Sequence, residues 1–460
     1  MSSYTSATDA DIREMLAAIG VASIEELFAD IPESLRLGRA LNLGEPLSEQ
    51  EVYDELRALA ARNTSTEDEI TFLGAGMYDN YVPSLIDSII TRSEFLTPYT
   101  PYQPEISQGG LQAMFEYQTA ISELTGLPIS NASVYEGPSA VGAAGYVAKL
   151  ANGRAKFLVS KGVHPHSRQT LTTLAKGYGM EVVELSLNAD GRTELPDSAL
   201  DGDTSALVLQ QPNFLGIVED LTPLAAAAKA AGALTICACD PVPLALLKSP
   251  GECGVDVAVG EGQTLGNRLD FGGPSFGFFA ATEELTRRMP GRIAGETRDV
   301  DGKRGFVLTL QTREQHIRRE KATSNICTSQ ALNALAGVIY LSWLGRRGIV
   351  ELAELILKRT AYARGRLTEV PGLWPLYADQ PVVREFAVRL DAPVERVIER
   401  CVAQGVNPGY PLGRDYPELE NCLLVAITER RTKADIDRLA EVLESAIAAE
   451  WAARGAGAPA

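Results

Sequence analysis

The sequence predicts an α/β protein with a mainly parallel sheet in a large domain and a smaller C-terminal α/β domain. Short apolar runs such as Lys156–Ser160 and Leu234–Cys239 alternate with helical patterns such as Ser167–Tyr178. The apolar runs lack strict polar alternation, which is typical of strands that are covered on both faces. Repetition of strand, helix and strand favours right-handed parallel connections.

Residues 1–90 are predicted to form a helical arm and an extended strap. Thr8 is placed to cap a first helix, and Ser23 and Ser48 each precede a glutamate by three residues, which is the capping-box pattern. We use the name strap for the segment from Phe72 to Pro104, which is rich in tyrosine and proline. Three of its prolines recur at every third position, which favours an extended chain.

Residues 91–345 are predicted to form the large domain, which begins with an amphipathic helix ended by Gly126. Helices and strands then follow in alternation. The predicted helices are Leu111–Thr125, Ser139–Leu150, Ser167–Tyr178, Pro223–Ala231 and Leu332–Leu344, and the predicted strands are Lys156–Ser160, Glu181–Leu187, Ala206–Gln210, Leu234–Cys239, Val255–Gly260 and Phe276–Ala281.

Residues 346–451 are predicted to form the small domain, and residues 452–460 a disordered tail. Two strands, Glu385–Leu390 and Cys422–Thr428, accompany two helices, Val394–Ala403 and Lys433–Ala449. The tail consists almost entirely of small residues, which predicts little order.

Composition excludes several classes of function. The net charge of −18 disfavours binding to nucleic acid or to anionic lipid. The 460 residues contain no apolar run of membrane-spanning length, and the N-terminus has no targeting pattern, so we expect a cytoplasmic protein. The six cysteines form no Cys-x-x-Cys pair, and we expect neither disulfides nor a bound metal.

The segment Asp256–Pro274 is the most informative for chemistry. It places a glycine-rich loop after a buried strand, and enzymes built on pyridoxal phosphate (PLP) usually carry there the lysine that forms the Schiff base. Gln263 takes this place, and an amide cannot form an imine. Lys248 follows Asp240 too closely to serve as the Schiff-base lysine. The other lysines that we considered, Lys161 and Lys321, lie on other elements.

Two further residues fit the surroundings of such a cofactor. Asp240 ends a strand, where a carboxylate is placed to pair with a pyridine nitrogen, although it is equally suited to cap the turn before Pro241. Ser139 opens a helix, where phosphate binds to free N–H groups, although an ordinary N-cap explains it as well.

Two other pairs of residues have open roles. His164 and His166 follow a strand, and either stacking on a flat cofactor or an ordinary loop role fits them. Tyr99 and Tyr102 lie on the proline-spaced strap. Their hydroxyls are candidates to reach a neighbouring subunit's pocket, and packing with a polar tip is the alternative.

Several long motifs together resemble one family. These are FLGAGMYDNYVP, EFLTPYTPYQPEISQGGLQAMFEYQTAISELTGLPISNAS, GVHPHSRQT, EKATSNICTSQAL and, near the N-terminus, MLAAIGVASIEELFADIP. They are similar to glycine dehydrogenase (decarboxylating), the P-protein of the glycine cleavage system, from about Met15 to about Thr428. The chain resembles the first of two subunits, usually called alpha or subunit 1.

The resemblance implies a PLP-dependent transferase fold of the aspartate aminotransferase type and an α2β2 assembly with a second, beta subunit. It implies that the beta subunit binds PLP covalently, and that glycine is decarboxylated with transfer of its aminomethyl group to the lipoyl arm of the H-protein.

Carried over to this sequence, the resemblance matches five residues. Gln263 matches the Schiff-base lysine, His164 the ring-stacking histidine and Asp240 the pyridine-pairing carboxylate. Tyr99 and Tyr102 match the aromatic strap. The turn Asn267–Asp270, beside this degenerate pocket, departs from the family pattern.

Three hypotheses follow. The chain is a required subunit of a PLP decarboxylase without catalytic residues of its own, an autonomous PLP enzyme that uses another lysine, or a scaffold or regulatory subunit without chemistry.

Overall fold

The computed structural model describes residues 6–326 and 329–456 of the chain. The chain forms two compact units, residues 1–64 and residues 65–460. The predicted arm of residues 1–90 extends past the boundary between these two units. Residues from Ser65 onward belong to the second unit, because Ile70 and Thr71 pair as a strand with Val406 and Asn407.

In its described residues, the first unit contains two α-helices, α1 (Asp9–Ile19) and α2 (Glu49–Ala60). Thr8 and Ser48 cap them in reciprocal capping boxes, as the sequence predicts. The prediction of a capping box at Ser23 is wrong. Ser23 precedes a five-residue 3₁₀ turn without a side-chain hydrogen bond, and the nearby Glu26 accepts instead from the main chain of Ala22.

Ten further α-helices lie in the described residues of the second unit. They are α3 (Ser84–Ile90), α4 (Ser93–Leu96), α5 (Gln108–Thr125), α6 (Gly137–Asn152), α7 (Pro165–Tyr178), α8 (Leu221–Ala230), α9 (Gln315–Arg318), α10 (Ala331–Leu367), α11 (Val394–Val402) and α12 (Lys433–Ala456).

The strands of the same unit are β1 (Ile70–Thr71), β2 (Ile129–Ser130), β3 (Lys156–Ser160), β4 (Glu181–Leu185), β5 (Thr204–Gln211), β6 (Leu234–Cys239), β7 (Val257–Glu261), β8 (Gly277–Ala281), β9 (Ile293–Arg298), β10 (Arg304–Thr309), β11 (Leu373–Pro375), β12 (Glu385–Leu390), β13 (Val406–Asn407), β14 (Tyr410–Pro411) and β15 (Cys422–Ala426).

A seven-stranded sheet in the order β2-β8-β7-β6-β5-β3-β4 forms the centre of this unit. Strands β7, β6, β5, β3 and β4 are parallel, and β8 runs antiparallel to β7 and β2. The predicted mainly parallel sheet is thus confirmed. Alternate residues of β5 pack into two different apolar clusters, one on each face of the sheet. Leu207 and Leu209 belong to the first cluster, and Ala206 and Val208 belong to the second. Coverage of both faces explains the unbroken apolar runs in the sequence.

A four-stranded antiparallel sheet, β11-β12-β15-β14, lies in the C-terminal part. The long helix α10 leads into it and departs from helical geometry at Gly345, where φ is 63° and ψ is 179°. This is the position at which we expected the large domain to end. The predicted large domain and the predicted small domain nevertheless belong to one compact unit, residues 65–460.

The C-terminal helix α12 continues to Ala456. The expected disorder from Ala452 onward is therefore wrong for Ala452–Ala456, since alanine and arginine have high helix propensity. Residues 457–460 lie outside the described part of the chain. None of the described helices combines the length and the apolar character needed to cross a membrane.

Candidate functional site at the carboxyl edge of the sheet

A cavity of about 360 Å³ lies beyond the carboxyl ends of β5, β6 and β7. This is the edge at which open α/β sheets bind their ligands. The walls come from the strand ends, the starts of α6 and α7, and the strap. Its lining includes Ala75, Gly76, Met77, Tyr78, Glu136, Gly137, His164, His166, Gln210, Cys239, Asp240, Glu261, Thr264 and Ser275.

The structure brings only some of the predicted residues together. His164, His166 and Asp240 line the cavity, whereas Ser139, Gln263, Tyr99 and Tyr102 do not. Strand ends and helix starts meet at this edge, which explains the first group.

Gln263 is fully buried and its amide is bonded at both ends. The Tyr78 N–H donates to Gln263 Oε1 over 3.0 Å, and Gln263 Nε2 donates to the carbonyl oxygens of Tyr78 (3.0 Å) and Asn267 (2.9 Å). The side chain at the predicted lysine position therefore fastens the strap at Tyr78.

Asp240 pairs with Arg384, which precedes β12 in the C-terminal part of the unit. The distance from Arg384 Nε to Asp240 Oδ2 is 3.0 Å, and Arg384 is only 2% exposed. The contact is an ion pair without hydrogen-bond alignment, because no guanidinium nitrogen has a hydrogen-bond acceptor among the described residues. The guanidinium also lies 4.4 Å from the ring centre of Tyr78. Burial raises the pKa of Asp240, and Arg384 opposes this shift.

Glu385, the next residue, holds the strap from the other side. Its carboxylate accepts from the Tyr78 hydroxyl (2.7 Å) and from the main-chain N–H of Ala75 (2.8 Å). Burial raises the pKa of Glu385 to about 7, although both hydrogen bonds favour the ionised form.

The start of α6 is occupied by two carboxylates. Glu136 is the N-cap and accepts from the N–H of Ser139 over 2.8 Å. Glu261 accepts from the N–H of Gly137 (3.0 Å) and from the Ser275 hydroxyl (2.5 Å). The N-cap is thus Glu136. Ser139, which we expected as the N-cap, lies inside the helix, because the helix begins two residues earlier than predicted.

His164 caps α7 and also reaches the strap. Its Nε2 lies 2.8 Å from the carbonyl oxygen of Ala75, and its Nδ1 accepts from the N–H of His166. Burial lowers the pKa of His164 to about 4, so the ring is neutral near pH 7. Because Nδ1 is an acceptor in the neutral ring, Nε2 carries the proton and donates a hydrogen bond to the carbonyl oxygen of Ala75.

These contacts do not fit PLP, which the resemblance implies for the family. A phosphate needs free N–H groups at a helix start, and here two carboxylates hold those of Gly137 and Ser139. Asp240 already has a cationic partner. No lysine is among the residues that line the cavity, within the part of the chain that the structure describes.

Tyr99 and Tyr102 lie on the strap, away from this cavity. The side chain of Tyr99 is 76% exposed and lines a second, mostly apolar cavity of about 400 Å³ with Leu96, Ile106 and Leu335. Tyr102 is 48% exposed, and its hydroxyl accepts from Arg292.

Three important residues escaped the sequence analysis: Glu261, Arg384 and Glu385. Glu261 is the last residue of β7 and was visible in the sequence, since a carboxylate two residues before the predicted lysine position changes the charge of the pocket. Arg384 and Glu385 follow Asp240 by more than 140 residues, and no local pattern links them to it.

The cysteines behave as core residues where they are described. Cys237 and Cys239 share a face of β6 with their sulfur atoms 3.6 Å apart, and both are buried. Cys327 lies outside the described residues. Within residues 6–326 and 329–456, no three His, Cys, Asp or Glu side chains are grouped to hold a metal ion.

Comparison with known proteins identifies the family. The sequence model of the glycine cleavage system P-protein matches residues 2–443, almost the whole chain. The chain belongs to the glycine cleavage system P-protein family. This confirms the resemblance drawn from the motifs in the strap and around His164.

Curated relatives in the P-protein family cover nearly all of the chain. A probable glycine dehydrogenase (decarboxylating) subunit 1 of Moorella thermoacetica is 49% identical over 97% of this chain and 100% of its own. The corresponding protein of Brevibacillus brevis is 47% identical over 96% of this chain and 98% of its own. The comparisons therefore support the predicted function as a glycine dehydrogenase subunit.

Solved structures agree on the fold. The crystal structure of a P-protein of the glycine cleavage system in inhibitor-bound form matches with a TM-score of 0.88 and 44% identity, over 97% of this chain and 100% of that one. A sphingosine-1-phosphate lyase of Burkholderia pseudomallei matches with a TM-score of 0.62 at 16% identity, over 93% and 96%. The predicted PLP-dependent transferase fold is confirmed.

Proposed function

We propose that this chain is the subunit of glycine dehydrogenase (decarboxylating) that lacks a Schiff-base lysine, and that a second subunit binds PLP covalently. The observation that carries the proposal is the buried amide of Gln263, which is bonded to the main chain of Tyr78 at the position matched to the lysine. The carboxylates at the start of α6 and the Asp240–Arg384 pair support it.

The proposed partner is the lysine-bearing beta subunit in an α2β2 assembly. The relatives are named subunit 1, which supports a second subunit. Exposed apolar side chains surround the 400 Å³ cavity and continue along α10 and the strap: Leu96, Tyr99, Ile106 and Trp343. Exposed apolar side chains that lie together are typical of protein–protein contacts, which supports a partner on this face. The lipoylated H-protein and glycine are the other proposed partners.

The chain's own role is to form part of the wall of the partner's active site. Tyr99 and Tyr102 are the candidates to reach that site from the strap. When bound to the partner, PLP withdraws electrons from the substrate. Once the partner covers them, the apolar residues beside Tyr99 exclude water from that region, which strengthens electrostatic interactions there.

A cytoplasmic location belongs to the same proposal. The five cysteines that the structure describes are all free thiols, and thiols persist in a reducing compartment.

The test is glycine-dependent exchange of labelled CO₂ by this chain, by the lysine-bearing subunit and by their mixture, each with PLP. We expect exchange by the mixture and none by this chain alone. Exchange by this chain alone contradicts the proposal and favours an autonomous PLP enzyme that uses another lysine. Full exchange by the partner alone favours a scaffold or regulatory role instead.

A further inference from the structure

A polar cluster beside the strap has no role in the cavity described above. It consists of Tyr102, Arg292, Glu314 and His316, and we call it the Tyr102 cluster. Arg292 and Glu314 are 6% and 7% exposed, whereas Tyr102 is half exposed. A buried ionic pair thus stands directly behind a surface tyrosine.

Arg292 holds Tyr102 in two ways. Its Nη2 donates to the Tyr102 hydroxyl oxygen over 3.1 Å, and its guanidinium carbon lies 5.5 Å from the ring centre. The ring of His316 packs edge-on against the same tyrosine, with 5.9 Å between ring centres. The tyrosine is therefore fixed at its hydroxyl and at its ring.

The contact determines the direction of the next hydrogen bond. A guanidinium has only donors, so the phenol oxygen must be the acceptor toward Arg292. The hydroxyl proton of Tyr102 then remains available to an acceptor outside the cluster. The positive charge behind the oxygen strengthens this donation toward an anionic acceptor.

The remaining members of the cluster make the buried charge tolerable. Glu314 Oε2 lies 3.8 Å from Arg292 Nε and 3.6 Å from His316 Nδ1. A buried guanidinium without a nearby carboxylate is strongly destabilising. Arg292 is thus held in place, and Pro98 and Pro101 restrict the backbone of the strap just before Tyr102.

We propose that Arg292 is a positioning residue, which directs the Tyr102 hydroxyl to donate to an anionic oxygen in the partner subunit's active site. This rests on the proposed function of the chain. The shared chemistry of the acceptor is a carboxylate or phosphate oxygen, and its two possible sources are the carboxylate of glycine and the phosphate of the partner's PLP.

The test uses the assembled complex with Tyr102→Phe, Arg292→Gln, their combination and Arg292→Lys. We expect each of the first two to lower kcat/KM for glycine roughly 10- to 100-fold, the range of one hydrogen bond to a charged group. Arg292→Gln adds nothing in the Tyr102→Phe background, and Arg292→Lys restores part of the loss. Arg298→Gln, an exposed arginine of β9, is the matched control.

Two readouts identify the acceptor. A raised KM for glycine with unchanged retention of PLP indicates the substrate carboxylate. Faster loss of PLP with an unchanged KM indicates the phosphate. Losses that are additive in the double variant overturn the inference, because Arg292 then acts independently of Tyr102.

Hydrogen exchange of the strap separates this inference from the proposed function. A silent Tyr102→Phe overturns the donation by Tyr102 and, with it, the part of the proposed function that places this side chain in the partner's site. Exchange of residues 97–108 then decides the role of Arg292. Faster exchange in Arg292→Gln but not in Arg298→Gln supports positioning of the strap, and equal exchange in both variants overturns it.

Discussion

Gln263 and the backbone of Tyr78 hold each other by a reciprocal pair of hydrogen bonds, each of 3.0 Å. Such pairing needs a side chain that both donates and accepts, which an amide does and an ammonium group does not. Gln263, at the predicted lysine position, therefore has a structural role of its own.

Restoring a lysine should destabilise the chain without creating a cofactor site. Gln263→Lys buries an ammonium group and leaves the N–H of Tyr78 without an acceptor, at a cost of about 3 to 5 kcal/mol. Urea unfolding measures the loss. Gln112→Lys on the exposed face of α5 is the matched control, with an expected change within about 0.5 kcal/mol. A stable Gln263→Lys variant that binds PLP covalently contradicts this view.

Replacing Asp240 should show how strongly the buried pair depends on both charges. Asp240→Asn leaves the guanidinium of Arg384 buried without a counter-charge, which costs about 3 to 5 kcal/mol. The double variant Asp240→Asn with Arg384→Met should recover much of this loss, since it removes the charge as well.

The exposed pair of Arg268 and Asp87 provides the comparison. Its two parallel contacts are each 2.7 Å long, but both side chains are nearly half exposed. Asp87→Asn should cost about 0 to 1 kcal/mol in the same unfolding measurement. Equal losses at Asp87 and Asp240 are incompatible with the buried-charge argument.

Glu385 should make the stability of the chain depend on pH. Burial raises its pKa from 4.5 to about 7 in the folded chain. Between these values the folded state retains a proton that the unfolded state has released. Stability should therefore fall by about 3 to 4 kcal/mol in total as pH rises from 4.5 to 7, and stay constant above.

Glu385→Gln keeps both hydrogen bonds of the strap and removes this dependence, because the amide can accept from Ala75 and donate to Tyr78. His164 acts in the opposite direction: burial lowers its pKa from 6.5 to about 4, so its contribution is lost as pH falls through that range. The difference between wild type and Glu385→Gln, measured by unfolding at each pH, isolates Glu385. An identical pH profile for Glu385→Gln and for the exposed control Glu123→Gln contradicts the prediction.

Two glycines of α10 should respond to alanine in opposite ways. Gly345 has φ of 63° and ψ of 179°, a conformation that is nearly restricted to glycine, and no atom stands within 4 Å of an added Cβ. Gly345→Ala should destabilise by about 1 to 3 kcal/mol through the backbone alone.

Gly365 in the same helix has helical geometry and equally open surroundings. Gly365→Ala should therefore stabilise by about 0.5 to 1 kcal/mol. Thermal unfolding of the two variants measures both effects, and shifts of the same sign are inconsistent with this account.

Much of the sheet was predictable because its signals are local. The predicted bounds of β3, β6 and β12 agree with the structure, since each is an apolar run between polar or turn residues. The hairpin of β9 and β10 was missed. Its strands, Ile293–Arg298 and Arg304–Thr309, mix glycine and charge with apolar residues and show no clear period of two.

The site was predictable only where one strand end determined it. Asp240 and His164 were found because a carboxylate and an imidazole follow strands directly. Arg384 was not, because its contact with Asp240 depends on how the C-terminal part packs on the sheet. The role of Gln263 also escaped prediction. The resemblance predicted only that this residue replaces a lysine, and the folded chain shows that the amide of Gln263 is hydrogen-bonded to the main chain of Tyr78.

Tyr78 of the strap is hydrogen-bonded from two directions, by Gln263 beside the parallel sheet and by Glu385, the first residue of β12. An enzyme that closes over its substrate alternates between two arrangements of such parts. With both contacts made at Tyr78, we expect this stretch to keep one arrangement, and movement during turnover to take place elsewhere in the assembly.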